Sequence, residues 1–356
     1  FSFNIGHTYA DGANNYTATV TVDDDGAQQG SDSFAVSVNN IAPTVSISGA
    51  GSVNEGSVYS VNLTRFDPGS DTATQYTVRW GDGTADTVLT ASQLAAQSGN
   101  VTHTYADGNA SRTITVDVVD EDGAWIAAGS HNVFVSNVAP TASVTGADAV
   151  SEGSVYALSV GAVSDPGTDT RTAYSINWGD GNTDTLTAAQ WTAAAGNFTH
   201  SYADGGPGGT ARTITVSATD EDGTFTLGSK SLTVNNVAPS LTLSGNASSN
   251  EGASYTLNLV ASDPAGGNDP LSYSINWGDG SAVENLTAAQ LAAVSGNVTH
   301  TFADDEDGAV NSTARTIVVT ANDGDGGSTV QNKVVNVNNV APTASVTGAD
   351  AVSEGS

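Results

Sequence analysis

The chain repeats itself about every 99 residues, and that period limits what it can fold into more than any other property. Trp-Gly-Asp recurs at Trp80, Trp178 and Trp277, and His-(Thr/Ser)-(Tyr/Phe)-Ala-Asp at His7, His103, His200 and His300. Ala-Pro recurs at Pro43, Pro140, Pro239 and Pro342, Glu-Gly at Glu55, Glu152, Glu251 and Glu354. An acidic run ends in Gly26, Gly123, Gly223 and Gly326. The order never changes, and Val138–Ser154 returns letter for letter as Val340–Ser356. The boundaries expected from this pattern are complete repeats at 42–138, 139–237 and 238–340. Residues 1–41 match the back of a repeat and 341–356 the front of another, which predicts a window of a longer array.

Within a repeat the pattern is that of strands. In the second, Thr213–Thr219 alternates Ile214, Val216 and Ala218 against Thr213, Thr215 and Ser217. Thr141–Thr145, Val155–Val160, Tyr174–Trp178 and Ser231–Asn235 are further short β-rich runs between turn signals. Spacing and turn density predict an all-β Greek-key sandwich of two antiparallel sheets. One short helix interrupts it. Thr187 and Gln190 form a Thr-x-x-Gln capping box, repeated as Thr90/Gln93 and Thr287/Gln290. The apolar residue after the Gln (Leu94, Trp191 or Leu291) is expected to plug the helix onto the sandwich.

The order Trp-Gly-Asp-Gly (Trp80–Gly83), His-Thr-Tyr (His103–Tyr105) and a strand ending in Asp-x-Asp-Gly (Thr113–Gly123) resembles the PKD (polycystic kidney disease) repeat. The resemblance covers essentially the whole chain. It implies tandem immunoglobulin-like sandwiches in which Trp and Tyr are structural, used as spacers or adhesive modules in exported proteins. The helical insert is longer than the usual PKD loop, and the Glu-Gly element is more like the opening of cadherin-like bacterial repeats.

Charge narrows the function. The 38 acidic and 8 basic residues give a formal charge of −30, which repels nucleic acid and anionic membranes. No run of 18 apolar residues could span a bilayer. The absence of Cys and Met in a Thr-, Asn- and Gly-rich chain points to a bacterial extracellular or cell-surface protein.

The acids recur at fixed places. One cluster is Asp67/Asp71, matched by Asp165/Asp169 and Asp263/Asp269. The other is Asp120/Asp122, matched by Asp23/Asp25, Asp220/Asp222 and Asp323/Asp325. In a Greek-key sandwich both loops project from one pole, where the linker with Asn137 also enters. Several carboxylates and an amide converging there suit Ca²⁺, which takes six to eight oxygens in flexible geometry. Glu55, Glu152 and Glu251 fall at the opposite pole, facing the next repeat, so Glu55 could share a cation with Asp165 across the junction. The simpler reading is that Asp and Gly are good turn residues.

The recurring His lacks a second His or a Cys at metal-ligand spacing, which makes zinc improbable and a structural hydrogen bond at the start of a strand the expectation. Arg112, Arg212 and Arg315 are expected to pair with carboxylates. Of the two Trp that do not recur, Trp125 and Trp191, Trp125 beside the acidic loop is the better candidate for an exposed contact. No residue stands out as a nucleophile. Polar groups copied into every repeat argue for structure over catalysis. The expected function is a cation-stiffened stalk, adhesin segment or filament whose partners are neighbouring repeats or further copies of itself. The alternatives are a module binding polysaccharide or a cell-surface protein, and a spacer on a secreted hydrolase.

Overall fold

A computed structural model of the chain describes residues 2–304, 311–348, 350–351 and 354–355. Residues 305–310 of the third repeat, and 349, 352, 353 and 356 of the expected start of a further one, lie outside the described residues.

The second repeat shows how the alternation becomes a sandwich. Its larger sheet runs in the order Ala149–Ser151, Thr224–Asn235, Thr210–Thr219, Ala173–Asn177, Thr183–Thr187. The first pair is parallel and the others are antiparallel. Its smaller sheet is Val144–Gly146, Val155–Val160, Asn197–Ser201. The first and third repeats build the same pair of sheets from equivalent segments. A small sheet facing a larger one with a parallel edge strand is the immunoglobulin-like arrangement. Residues 14–38 form one antiparallel hairpin, Asn14–Asp23 with Gln29–Val38.

Register explains the pattern. Ile176 lies opposite Val216 and Tyr174 opposite Ala218, so one face of the larger sheet is uniformly apolar. Ile214, Val216 and Ala218 are buried, while Thr213 is exposed. Tyr156, Leu158, Val160 and Phe198 of the smaller sheet complete the core. Trp178 is fully buried within it, and Trp80 and Trp277 do the same in their repeats.

Each Trp anchors a small network. His200 stacks on Trp178 with centroids 4.7 Å apart and planes 10° from parallel. Its Nε2 lies 2.7 Å from Asp180 Oδ2, in the turn after the Trp. His103 with Asp82, and His300 with Asp279, repeat this geometry. The structural role expected for the His therefore holds, but its place is corrected: His103 is the fourth residue of the strand Asn100–Thr104, not its start. Burial pushes the Asp279 carboxyl up, but hydrogen bonds from Ser281 and His300 outweigh it and hold the group near about 2.

Tyr202 donates its hydroxyl to Trp178 O at 3.0 Å, and Tyr105 to Trp80 O at 3.1 Å. The third repeat has Phe302 there, equally buried. Tyr202→Phe should therefore keep the fold and cost about 1 kcal/mol, the usual net value of one hydrogen bond, read from the denaturant midpoint.

All three capping boxes form: Thr90, Thr187 and Thr287 each accept from the backbone of the Gln three residues on. Leu94 and Leu291 are buried, and Trp191 stacks on Tyr174 at 4.2 Å, so the plug is as expected. The edge strand Thr183–Thr187 was not evident from the pattern, and the strand expected to begin at His200 starts earlier, at Asn197.

Candidate metal centres at the repeat junctions

Both acidic loops lie at one pole of each sandwich. In the second repeat Asp165–Asp169 follows the strand Val155–Val160, and Asp220–Asp222 joins Thr210–Thr219 to Thr224–Asn235. Turn chemistry accounts for part of the acid. Asp220 Oδ1 accepts from the amides of Asp222 and Gly223 at 3.0 and 3.1 Å. Asp120 and Asp323 clamp their turns in the same way. Glu221 takes the amide of Thr170 on both oxygens and Glu121 that of Thr72, which ties the two loops together.

Turn chemistry does not account for the rest. Asp169 and Asp71 are buried, and neither oxygen of either has a hydrogen-bond partner. Asp165 Oδ1, Asp220 Oδ2, Asp222 Oδ2, Asp263 Oδ2 and Asp269 Oδ2 are bare and enclosed in the same way. So are both polar side-chain atoms of Asn137. A buried carboxylate oxygen without a donor is costly, because nothing replaces the water it lost.

The Glu of Glu-Gly sits at the other pole and reaches its own repeat's exit linker. Glu55 Oε1 accepts from Val138 N at 2.7 Å, Glu152 Oε1 from Val237 N at 2.8 Å, and Glu251 Oε1 from Val340 N at 2.7 Å. Glu152 Oε2 also takes the amide of Gly205. Glu55 Oε2 is buried without a well-formed hydrogen bond, although burial's upward push on its pKa is partly offset by the amide of Gly108, the counterpart of Gly205, which acts on the same carboxylate and lowers it.

Here two repeats meet. Thr168 N donates to Ala106 O at 2.9 Å, and in the junction before it Ser70 N donates to Ala10 O at 2.8 Å. The approach requires glycine. Gly56 has φ +67°, and a Cβ there would lie 2.5 Å from Pro166 O; one on Gly167 would meet the Glu55 carboxylate at 2.8 Å.

Carboxylates from both sides converge. Oxygens of Glu55, Asp107, Asp169 and Asp222 all lie within 4.8 Å of one another, as do those of Asp165, Asp169 and Asp220. At the junction before this one, the first repeat has Asp67/Asp71/Asp120 and shares Asp71/Asp122 with Asp11 of the preceding segment. At the next junction Glu152 of the second repeat meets Asp263 and Asp269 of the third, the counterparts of Asp165 and Asp169. Glu55 thus meets Asp169 and Asp222, while Asp165 belongs to the adjoining set. Asp325 lies within electrostatic reach of Asp269 and Asp204. Asn236, the counterpart of Asn137, donates to Asp323 Oδ2 at 3.1 Å. Asp23 and Asp25, in the first hairpin, are exposed.

Burial, then the charges of Glu55, Asp165 and Asp220, push Asp169 up to about 6. Burial, then Asp325 and Glu152, do the same to Asp269. Burial also raises Glu55 and Asp71. The sign of the pH effect follows. With divalent cations chelated, folded Asp169 and Asp269 take up protons at pH values where the unfolded chain, near 3.8, does not. Their penalty is full above about 6 and gone below about 3.8. In chelator the melting temperature should therefore rise between pH 7 and pH 5. In calcium, where protons and cation compete, the rise should vanish.

Three expectations need correcting or extending. Asp11, Asp107 and Asp204 were missed, although the Asp of His-x-Tyr-Ala-Asp recurs in every copy. Arg112 and Arg212 have no carboxylate in ion-pair range among the described residues, and Arg212 Nη1 donates to Gly179 O. Among the described residues, Arg65 pairs with Asp67, Arg79 with Asp117 and Arg171 with Asp165. Trp125 is half-buried, not an exposed contact, and its indole N–H donates to Asp120 Oδ2 at 2.6 Å.

No protein-family model and no curated protein sequence matches the chain. Among solved structures, it is similar to a tetra-tandem repeat in the extending region of a large adhesion protein. The identity is 16%, over 91% of this chain and 81% of that one, with a TM-score of 0.43. It is also similar to the FN1-FN3 domains of chicken CNTN1, at 8% identity over 83% of this chain and 99% of that one, TM-score 0.23. A third is the three N-terminal domains of the bacteriophage RB49 Highly Immunogenic Outer Capsid protein, at 14% over 84% and 100%, TM-score 0.29. Among the described residues no helix is long and apolar enough to cross a membrane.

Proposed function

We propose that the chain is a non-catalytic, PKD-type segment of the stalk of a large bacterial surface or adhesion protein, in which Ca²⁺ at the repeat junctions stiffens the array. One observation carries the reading. Carboxylate oxygens of Glu55 from one repeat and of Asp169 from the next lie within 4.8 Å of each other, and neither oxygen of the buried Asp169 has a hydrogen-bond partner. Two carboxylates so placed repel strongly in a low-dielectric setting. A divalent cation turns that repulsion into a bond between the repeats. Carboxylates delivered by several loops suit Ca²⁺ better than Mg²⁺, which demands a tighter octahedron. The residues that would hold it are Glu55, Asp107, Asp165, Asp169, Asp220 and Asp222, with their counterparts at the other junctions. Copying the same acids into each repeat supports a mechanical role over a catalytic one.

Small-angle scattering tests the proposal. In calcium the particle should be extended, each repeat adding about 35–45 Å, roughly the length of its ten-residue strands plus the joint. Chelation should shorten and broaden the distance distribution. Identical curves in calcium and in chelator would remove the stiffening role.

A further inference from the structure

The junction between the first and second repeats contains two nested acid sets with different owners. Asp165, Asp169 and Asp220 all come from the second repeat. Glu55, Asp107, Asp169 and Asp222 draw two members from each side. Asp169 is common to both, and each of its oxygens is buried and without a partner.

We infer that this junction holds two divalent cations bridged by Asp169, an inner one held by the second repeat alone and an outer one shared with the first. This rests on the cation reading above and deepens it. The bare oxygens divide accordingly. Asp165 Oδ1 and Asp220 Oδ2 are enclosed and unpartnered on the inner side, as Asp222 Oδ2 is on the outer side. The other oxygens of the two inner groups are already spent: Asp165 Oδ2 on Arg171 and Asp220 Oδ1 on its turn amides. Each of these two therefore has one oxygen left for a ligand.

Charge points the same way. The six carboxylates of the two sets, against the Arg171 guanidinium, carry a net −5. One divalent cation leaves −3 and two leave −1.

The first repeat provides a contrast within the same chain. Its inner set is Asp67, Asp71 and Asp120. Asp120 Oδ2 accepts the Trp125 indole N–H, where the second repeat has Phe225. Asp67 is spent on Gly69 N and on Arg65. Donors aimed at those oxygens face a cation with their positive ends, which leaves only Asp71 bare. That pole is built for its outer cation, with Asp11, Asp71 and Asp122.

The two cations have separate effects. The inner one closes loops of a single sandwich and adds to that repeat's stability. The outer one fastens the joint.

Equilibrium dialysis of the whole chain against calcium, with bound ions counted, tests this. Asp107→Asn touches only the outer set and is exposed, so it leaves the core alone. Asp220→Asn touches only the inner set and keeps an oxygen for the turn amides. Each should lose one ion relative to the unaltered chain, and the double variant two. Asp107→Asn should loosen the joint in scattering without moving the second repeat's melting temperature, and Asp220→Asn should lower that temperature. A double variant that loses no more than either single variant would mean one ion and would overturn the inference. No loss in any variant would overturn it as well. If the unaltered chain binds no calcium, the cation reading itself fails.

Discussion

Withdrawing calcium at neutral pH should lower the melting temperature of the chain by about 10 °C or more. A ligand present at a hundred times its dissociation constant stabilises the folded state by about 2.7 kcal/mol per site. In a sandwich of about 100 residues each kcal/mol moves the midpoint by roughly 4–8 °C. The shift should be large because the cation also relieves a defect. Without it, Asp71 and Asp169 keep buried oxygens with no donor. Scanning calorimetry in calcium and in chelator measures the difference, and coincident scans would rule out a stabilising metal. Replacing calcium with magnesium at equal concentration should recover only part of the shift.

The second large effect concerns the core. Trp178→Ala should destabilise the second repeat by about 3–5 kcal/mol, the usual cost of emptying a site built around a large aromatic. The side chain is fully buried and gives His200 its stacking surface, and its indole N–H meets Asp184 at 2.9 Å. Sandwiches of this size have roughly 5–15 kcal/mol in total, so the repeat should melt well before its neighbours. Each repeat has its own core and its own Trp, so calorimetry should show one transition displaced downward and the others little changed. A single transition moving as a whole would show that the repeats are energetically one body.

Features decided by near neighbours were legible in the sequence. The helix and its cap follow from Thr187, Gln190 and the apolar residue after it, all within one turn. The alternation of Ile214, Val216 and Ala218 named the inner face of a strand before its partner was known. Features decided across the sandwich were harder to see. Trp125 looked exposed because its acceptor, Asp120, is bound across a turn whose shape the sequence does not state. Arg112 and Arg212 looked like ion-pair partners because acids abound, but the fold places Arg171 beside Asp165 instead. At the junction, the two acidic loops and the facing Glu were read from recurrence. Asp107 was overlooked because it closes a motif whose aromatic residues have an evident core role. Its membership in the site depends on how one repeat is set against the next. The Glu55 bond to Val138 spans 83 residues and could not have been found by local pattern.

The parallel edge pair has a mechanical consequence. Ala149–Ser151, the second strand of the second repeat after Val144–Gly146, lies beside the last residues of its closing strand, with Ala149 opposite Thr233 and Ser151 opposite Asn235. Tension on the two ends of the repeat pulls these neighbours in opposite directions along their own axes. Their hydrogen bonds, together with the Glu152 contact to the linker at Val237, are then loaded together in shear instead of being unzipped one at a time. A row of such repeats should stretch by abrupt single-repeat rupture at high force, with the edge pair setting the strength of each link.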